Sequence, residues 1–197
     1  MFAFGATLAL TTLLSANAFA TEMGEEGKGP LPSDCAIHLV RSEAMPDEPW
    51  RHQIFQNAIN LEPGGDYTLT FWAKASGEFK LAVSTKVSAP PWNYFGVRDD
   101  AQLTTKWRRY QFRFSAEGAV EGQSRVTFSY KAPEPGEIWI TGVQVLPTGV
   151  KAGEQENLVA NGNFADGMMH WYLGGKQTGV FDAMMEMIPE GEPPATP

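Results

Sequence analysis

The sequence has very little cysteine and comparatively few basic residues. Cys35 is the only cysteine in 197 residues, so no intrachain disulfide can form, and packing or a metal must hold the fold together. Lys and Arg number 15 against 23 Asp and Glu, which gives a formal net charge of −8. Nucleic acids and anionic lipid surfaces require basic patches and are not expected as partners, whereas a neutral polysaccharide meets no electrostatic penalty.

Long apolar runs are also missing, except at the N-terminus. Residues 2–14 are almost uncharged, and Ala18-Phe19-Ala20 is a small-x-small cleavage signature. So short a run predicts that residues 1–20 are a secretory signal peptide, and that the protein is secreted, periplasmic or held at the cell surface. No Lys or Arg precedes the run, which leaves an uncleaved N-terminal anchor as the alternative.

The rest of the chain has the size of one domain flanked by polar segments. Residues 21–33 are rich in Gly, Glu and Pro and are predicted to form a flexible leader. The acidic, Pro-rich residues 182–197 are predicted to be a disordered tail. The domain is therefore expected within residues 34–181.

Helical periodicity is absent from every window longer than about ten residues. Short segments with period-two alternation, separated by Gly, Pro and Asp turns, predict strands instead. The predicted strands are residues 35–40, 50–56, 67–75, 79–87, 107–115, 125–130 and 137–146. Regular short strands of this kind indicate an all-β fold, an antiparallel β-sandwich or jelly roll.

Alternation along a strand also predicts which side chains share a face. In residues 67–74 the predicted core face carries Tyr67, Leu69, Phe71 and Ala73. The opposite face displays Trp72 among Thr and Lys side chains, and residues 107–115 and 125–130 likewise oppose an apolar face to a polar one. If these three strands share a sheet, they form one polar surface with many hydrogen-bond donors; the alternative is an ordinary solvated sheet face.

Sugar recognition combines aromatic rings, which stack on the C–H faces of pyranoses, with polar side chains that bind hydroxyl groups. Residues 50–53 (Trp-Arg-His-Gln) and 90–96 (Pro-Pro-Trp-Asn-Tyr-Phe-Gly) offer this mixture, and aromatic residues make up 12% of the chain. A structural role remains the alternative for each ring. The predicted carbohydrate-binding residues are Trp50, Gln53, Trp72, Trp92, Asn93, Tyr94, Arg109 and Gln111.

Motifs for catalysis are lacking. Glycoside hydrolysis uses two carboxylates about 5–10 Å apart, but the acidic residues cluster in predicted leaders, turns and the tail, as Asp99-Asp100 does. There is no Gly-x-Ser-x-Gly elbow, and the three His have no zinc-ligand spacing. The sequence favours non-catalytic binding of a polysaccharide or oligosaccharide. The alternatives are a structural or adhesion domain of a cell-surface protein, and a small glycosidase or polysaccharide lyase.

Three blocks of the chain resemble the CenC-type carbohydrate-binding modules of the family 4/9/22 group. They are Leu-x-Pro-Gly-Gly-x-Tyr-x-Leu-x-Phe-Trp-Ala-Lys-Ala (residues 61–75), Leu-Thr-Thr-Lys-Trp-x-x-Tyr-x-Phe-x-Phe (103–114) and Gly-Glu-Ile-Trp-Ile-Thr-Gly-Val-Gln-Val-Leu (136–146). The resemblance implies a galactose-binding-like jelly roll that binds soluble glycans, usually as an accessory to a glycoside hydrolase.

Two departures from this family's pattern matter. Where family members usually have Asp-Asn-Val and Asp-Phe-Glu, this chain has Thr141-Gly142-Val143 and Asn163-Phe164-Ala165-Asp166. Those acidic positions commonly help to hold a structural calcium, so no cofactor is expected, and Asp166 is the one remaining candidate ligand.

The order of the segments is the second departure. Asn157-Leu-Val-Ala-Asn-Gly-Asn-Phe164 resembles the family's opening strand, yet it follows the closing one. Residues 157–181 either complete the first unit as a circular permutant or begin a truncated second module.

Overall fold

The structure is a computed structural model that describes residues 21–22, 35–44, 52–131, 134–150, 153, 155–174 and 180–188. These residues contain eleven β-strands, and no helix among them is long and apolar enough to cross a bilayer. The strands are β1 (Thr21–Glu22), β2 (Cys35–Arg41), β3 (Gln53–Ile59), β4 (Asp66–Ala75), β5 (Phe79–Val87), β6 (Tyr94–Leu103), β7 (Arg108–Ser115), β8 (Ser124–Tyr130), β9 (Gly136–Pro147), β10 (Trp171–Gly174) and β11 (Phe181–Met187).

The strands form two antiparallel sheets, which confirms the predicted β-sandwich. One sheet has six strands in the order β1-β7-β4-β9-β2-β11, and the other has five in the order β10-β3-β8-β5-β6. The predicted core face of β4 is correct, since its Tyr, Leu, Phe and Ala side chains are all buried. Facing residues of β8, Val126, Phe128 and Tyr130, are buried as well, and the T-shaped contact of Phe71 with Phe128 joins the two sheets across the core.

Three segments differ from the sequence-based predictions. Residues 94–103 were not predicted as a strand, but they form β6 with Phe95, Val97, Ala101 and Leu103 buried. The predicted tail was wrong for residues 182–187, which belong to β11 and pair with β2. Residues 21–22, expected in a flexible leader, pair with β7. The predicted signal peptide and the tail beyond residue 188 lie outside the described residues.

The C-terminal part of the chain packs on the same sandwich as residues 35–147. Leu158 N–H donates to the carbonyl of Val145, and Val143 N–H donates to the carbonyl of Gly162. Trp171 is buried against Phe128 and Phe164 in the core, and β10 pairs with β3. Residues 157–174 and 180–188 thus contribute strands and core side chains to one domain.

Candidate functional site

The polar side chains predicted to form one surface lie on two opposite faces of the sandwich. Strands β4 and β7 pair in the six-stranded sheet, whereas β8 lies in the five-stranded sheet. The three strands do not share a sheet, so the condition for a single polar surface is not met; alternation identifies the faces of a strand but not its neighbours. Of the predicted site residues, Trp72, Arg109 and Gln111 belong to the six-stranded sheet, and Gln53 and Tyr94 belong to the five-stranded one.

The outer face of the six-stranded sheet is filled by its own aromatic side chains. Trp72 and Trp139 pack partly buried against a small cluster that includes Trp107 and Ile188. The ammonium of Lys74 lies 5.2 Å from the ring centroid of Trp107 and 5.0 Å from that of Trp139. A cavity of only about 10 Å³ lies between Trp107, Trp139 and Ile188. Trp72 is thus part of a packed cluster.

The outer face of the five-stranded sheet is built from three rows of cross-strand neighbours. One row runs through Gln53, Ser129, Ala82 and Asp100. The next runs through Tyr172, Phe55, Thr127, Ser84 and Arg98. The third contains Arg125, Lys86 and Tyr94. Five strands at the usual spacing extend about 19 Å, which gives a surface long enough for several linked sugar units.

A groove of about 470 Å³ lies on this face. Its lining residues are Gln53, Ala82, Val83, Ser84, Lys86, Tyr94, Arg98, Asp99, Asp100, Ser129 and Lys131. The small Ala and Ser side chains come from the central strands β5 and β8, and the long side chains of β6 and β3 stand on either side. The groove therefore exists because small side chains form its floor at the centre of the sheet, while larger side chains form its walls.

Aromatic rings stand at both ends of this face. Tyr94 is 50% exposed and Trp92 is 45% exposed, and they flank the β5–β6 connection. At the other end Phe55 stacks on Tyr172, with ring centroids 5.6 Å apart. Rings with so much exposed area contribute little to the core, and they are available for stacking on a ligand.

The backbone of Trp92 has φ of 61°, in the left-handed region that residues with a Cβ adopt at a cost of about 1–2 kcal/mol. Its N–H donates to the carbonyl of Ala89, and the carbonyl of Asn93 accepts from Val87 N–H. These hydrogen bonds hold the loop that carries Trp92 and Asn93. An unfavourable backbone conformation beside an exposed indole is a common feature of functional loops.

Arg125 connects the two ends of the face. Its Nη2 donates to Oε1 of Gln53 and its Nε donates to the hydroxyl of Thr127. Its guanidinium carbon lies 3.5 Å from the ring centroid of Phe55 and 6.0 Å from that of Trp92. Burial lowers the pKa of Arg125 to about 10. Burial, and then the positive charge of Arg125, lower the pKa of Lys86 to about 8.

The predicted site residues thus have different outcomes. Gln53 and Tyr94 line the groove, and Trp92 and Asn93 are exposed in the loop that precedes Tyr94. Trp72, Arg109 and Gln111 are on the opposite sheet, and Trp50 lies outside the described residues. Their assignment to carbohydrate binding stays a prediction.

Sequence reasoning missed several residues of the face, namely Phe55, Lys86, Arg98, Asp100, Lys131 and Tyr172. Alternation along β5 places Lys86 on the face opposite to the buried Leu81 and Val83, so the exposure of Lys86 on the outer face could have been predicted from the sequence. Asp99 and Asp100 were expected in a turn, but they lie in β6, where the bulge between the β5 and β6 registers conceals the alternation.

A structural calcium, for which Asp166 is the remaining candidate ligand, stays untested. Among the described residues no three His, Cys, Asp or Glu side chains are grouped to hold a metal ion. Thr141 uses its hydroxyl to donate to the carbonyl of Cys35, and Asp166 is the only carboxylate between residues 157 and 174. Calcium takes six to eight oxygen ligands, backbone carbonyls among them, so these side chains alone do not make up such a site.

Comparison with protein families gives a match over the middle of the chain. Residues 42–136 match the family described as Carbohydrate binding domain (CBM_4_9). No curated protein matches the sequence.

Several solved structures are similar in fold. One described as "PbXyn10C CBM APO" has 18% identity and a TM-score of 0.58, and the match covers 84% of this chain and 92% of that one. One described as "CBM4 structure and function" has 16% identity and a TM-score of 0.50, over 57% of this chain and 83% of that one. The N-terminal cellulose-binding domain of Cellulomonas fimi β-1,4-glucanase C has 17% identity and a TM-score of 0.48, over 67% and 95%. At these identities, the likeness to the first two structures shows a shared β-sandwich fold.

Proposed function

We propose that this chain, of which residues 42–136 match the carbohydrate-binding domain family, binds a polysaccharide or oligosaccharide in the groove of its five-stranded sheet. The observation that carries the proposal is the groove itself, with exposed Tyr94 at its wall and Gln53 in its lining. A pyranose stacks its C–H face on an aromatic ring while its hydroxyl groups exchange hydrogen bonds with polar side chains.

The groove is open along the rows of cross-strand neighbours. Its floor is made of short side chains, Ala82, Ser84 and Ser129. A polymer can therefore lie across the strands, with Trp92 and Tyr94 near one end and Phe55 and Tyr172 near the other. This arrangement supports recognition of an internal stretch of a glycan chain.

The same lining supports binding without cleavage. The carboxylates that line the groove, Asp99 and Asp100, are neighbours on β6. Asp100 also forms an ion pair with Lys131, with its Oδ2 2.6 Å from the ammonium. Hydrolysis requires two carboxyl groups on either side of a glycosidic bond, and two adjacent acids on one wall do not provide them. We infer that the domain serves a glycoside hydrolase as an accessory, outside the cytoplasm, as the apolar residues 2–14 suggest.

The test compares single ring truncations on the two faces of the sandwich. Trp92→Ala and Tyr94→Ala are each expected to weaken binding by about 1–3 kcal/mol, roughly fivefold to a hundredfold in Kd. Trp72→Ala is the matched control, because it removes a ring from the opposite sheet. Affinity electrophoresis against soluble neutral and acidic polysaccharides identifies a ligand, and calorimetric titration then gives Kd for each variant.

A melting curve for each variant separates loss of binding from loss of folding. Unchanged affinity in Trp92→Ala and Tyr94→Ala, together with a loss in folded Trp72→Ala, would move the site to the six-stranded sheet. Absence of binding to every polysaccharide would favour a structural or adhesion domain.

A further inference from the structure

The groove carries a positive charge in a protein that is strongly acidic. The whole chain has a formal net charge of −8. The groove lining, in contrast, includes Lys86, Arg98 and Lys131 against Asp99 and Asp100, and Arg125 lies next to Lys86 in the cross-strand row. A local charge opposite to that of the chain concentrates anionic ligands at the groove.

The two carboxylates do not neutralise the cations at the Tyr94 end. Asp100 is paired with Lys131, and Asp99 accepts a hydrogen bond from the backbone N–H of Asp100. Lys86 and Arg98 instead contact the Tyr94 ring, with the ammonium 5.4 Å and the guanidinium carbon 4.6 Å from its centroid. Within the described part of the chain, no carboxylate lies within ion-pair distance of Lys86 or Arg98.

Holding these charges together has an energetic cost. Burial and the nearby Arg125 lower the pKa of Lys86 to about 8, so its charged form is disfavoured relative to water. An anion bound at this position would compensate both the lost hydration and the repulsion from Arg125. A neutral sugar would add further desolvation without supplying the missing charge.

We propose that the preferred ligand is an acidic polysaccharide, whose uronate carboxylates bind Lys86 and Arg98 while a sugar ring of the same chain contacts the exposed aromatic side chains. This inference rests on the proposed function. A uronate unit fits because it combines an apolar C–H face with a planar two-oxygen group, and a guanidinium such as that of Arg98 pairs with such a group through two hydrogen bonds.

The experiment pairs each acidic polymer with its carboxyl-reduced form, which keeps the backbone and removes the charge. Polygalacturonate, alginate and glucuronoxylan are titrated into the full-length protein at fixed ionic strength. At least one native polymer is expected to bind tenfold or more tightly than its reduced form. Lys86→Gln and Arg98→Gln are each expected to weaken that binding at least fivefold and to reduce the difference in affinity between the native and the reduced polymer.

Matched controls come from cations outside the groove. Lys106 is exposed between β6 and β7, and Arg113 is exposed on the six-stranded sheet, so Lys106→Gln and Arg113→Gln remove the same charges elsewhere. Neither control should change the affinity by more than twofold. Equal losses in the control and groove variants would overturn the proposal, because long-range attraction would then explain the binding.

Other results separate the failure of this inference from that of the proposed function. Equal affinity for native and reduced polymers, or binding of neutral polysaccharides alone, would overturn the acidic preference and leave carbohydrate binding intact. Dextran sulfate that binds as tightly as the best polyuronate would overturn carboxylate recognition. Absence of binding to all of these polymers would overturn both proposals.

Discussion

Replacing Asn157 with alanine should detach much of the C-terminal segment from the sandwich. The side-chain oxygen of Asn157 accepts from Val145 N–H at 2.9 Å and from Val159 N–H at 3.1 Å, and its amide nitrogen donates to the carbonyl of Val143 at 2.9 Å. Net contributions of about 0.5–1.5 kcal/mol for each hydrogen bond give a loss of about 2–4 kcal/mol. For a domain of this size, that corresponds to a fall in Tm of roughly 5–12 °C.

Asn163→Ala is the matched control, because it removes the same side chain from the same loop. The oxygen of Asn163 accepts one long hydrogen bond, 3.3 Å from Ala165 N, at an exposed position. The expected loss is below about 0.5 kcal/mol. Calorimetric melts of the three proteins provide the comparison. A Tm for Asn157→Ala within 1 °C of that for Asn163→Ala would refute the conclusion that this side chain joins the segment to β9.

A glycine pair tests the same junction through sterics. A Cβ at Gly162 would lie 2.0 Å from the carbonyl oxygen of Val143, a backbone atom that cannot move alone. Gly162→Ala should therefore lower Tm at least as much as Asn157→Ala. Gly167→Ala serves as the control: it has φ of 64° and no atom within 4 Å of the added carbon, so only about 1–2 kcal/mol of backbone strain is expected.

Two further predictions concern buried polar groups. Thr85→Val should lower the free energy of unfolding by about 2–3 kcal/mol and weaken ligand binding, because the Thr85 hydroxyl donates to the carbonyl of Phe95 and accepts from Val97 N–H, 2.9 Å away, at the bulge that positions Tyr94 and Arg98. Urea unfolding measures this loss, and the control variant Thr68→Val, at a partly exposed position, should lose less than about 1 kcal/mol. Burial, and then the charge of Arg41, lower the pKa of His52 below its ordinary 6.5. Below pH 6.5, His52 therefore binds a proton more readily in the unfolded chain than in the folded one, so the free energy of unfolding falls as the pH drops. The Tm of His52→Phe should consequently change less between pH 7.5 and 5.0 than that of the wild type or of the exposed-site variant His170→Asn; an equal change in all three would contradict this assignment.

Most of the strands could be predicted from local pattern, and the failures have identifiable causes. Residues 67–75 and 79–87 were predicted almost to the residue because their side chains alternate regularly between core and solvent. β6 was missed because a bulge interrupts the alternation beside Arg98. β11 was missed because Met and Glu residues beside a Pro-rich end resemble a tail. It forms a strand because it pairs along the whole of β2.

The candidate site was only partly predictable. Trp92 and Tyr94 were identified because the two prolines of residues 90–91 predicted a loop, and Gln53 was identified by its neighbours in sequence. Lys86, Arg98, Asp100 and Lys131 come from the two strands β5 and β6 and from the residue that follows β8. No local sequence pattern indicates that these side chains share one groove.

The sequence by itself determined the strand class and the inward faces of most strands, because side-chain alternation and turn chemistry are local properties of the backbone. Tertiary structure decided which strands are neighbours. Backbone N–H and C=O groups are the same at nearly every residue, so pairing depends on packing between segments far apart in sequence. That pairing separates Trp72 from Tyr94 by the full thickness of the sandwich, and it assembles one basic groove on an acidic protein.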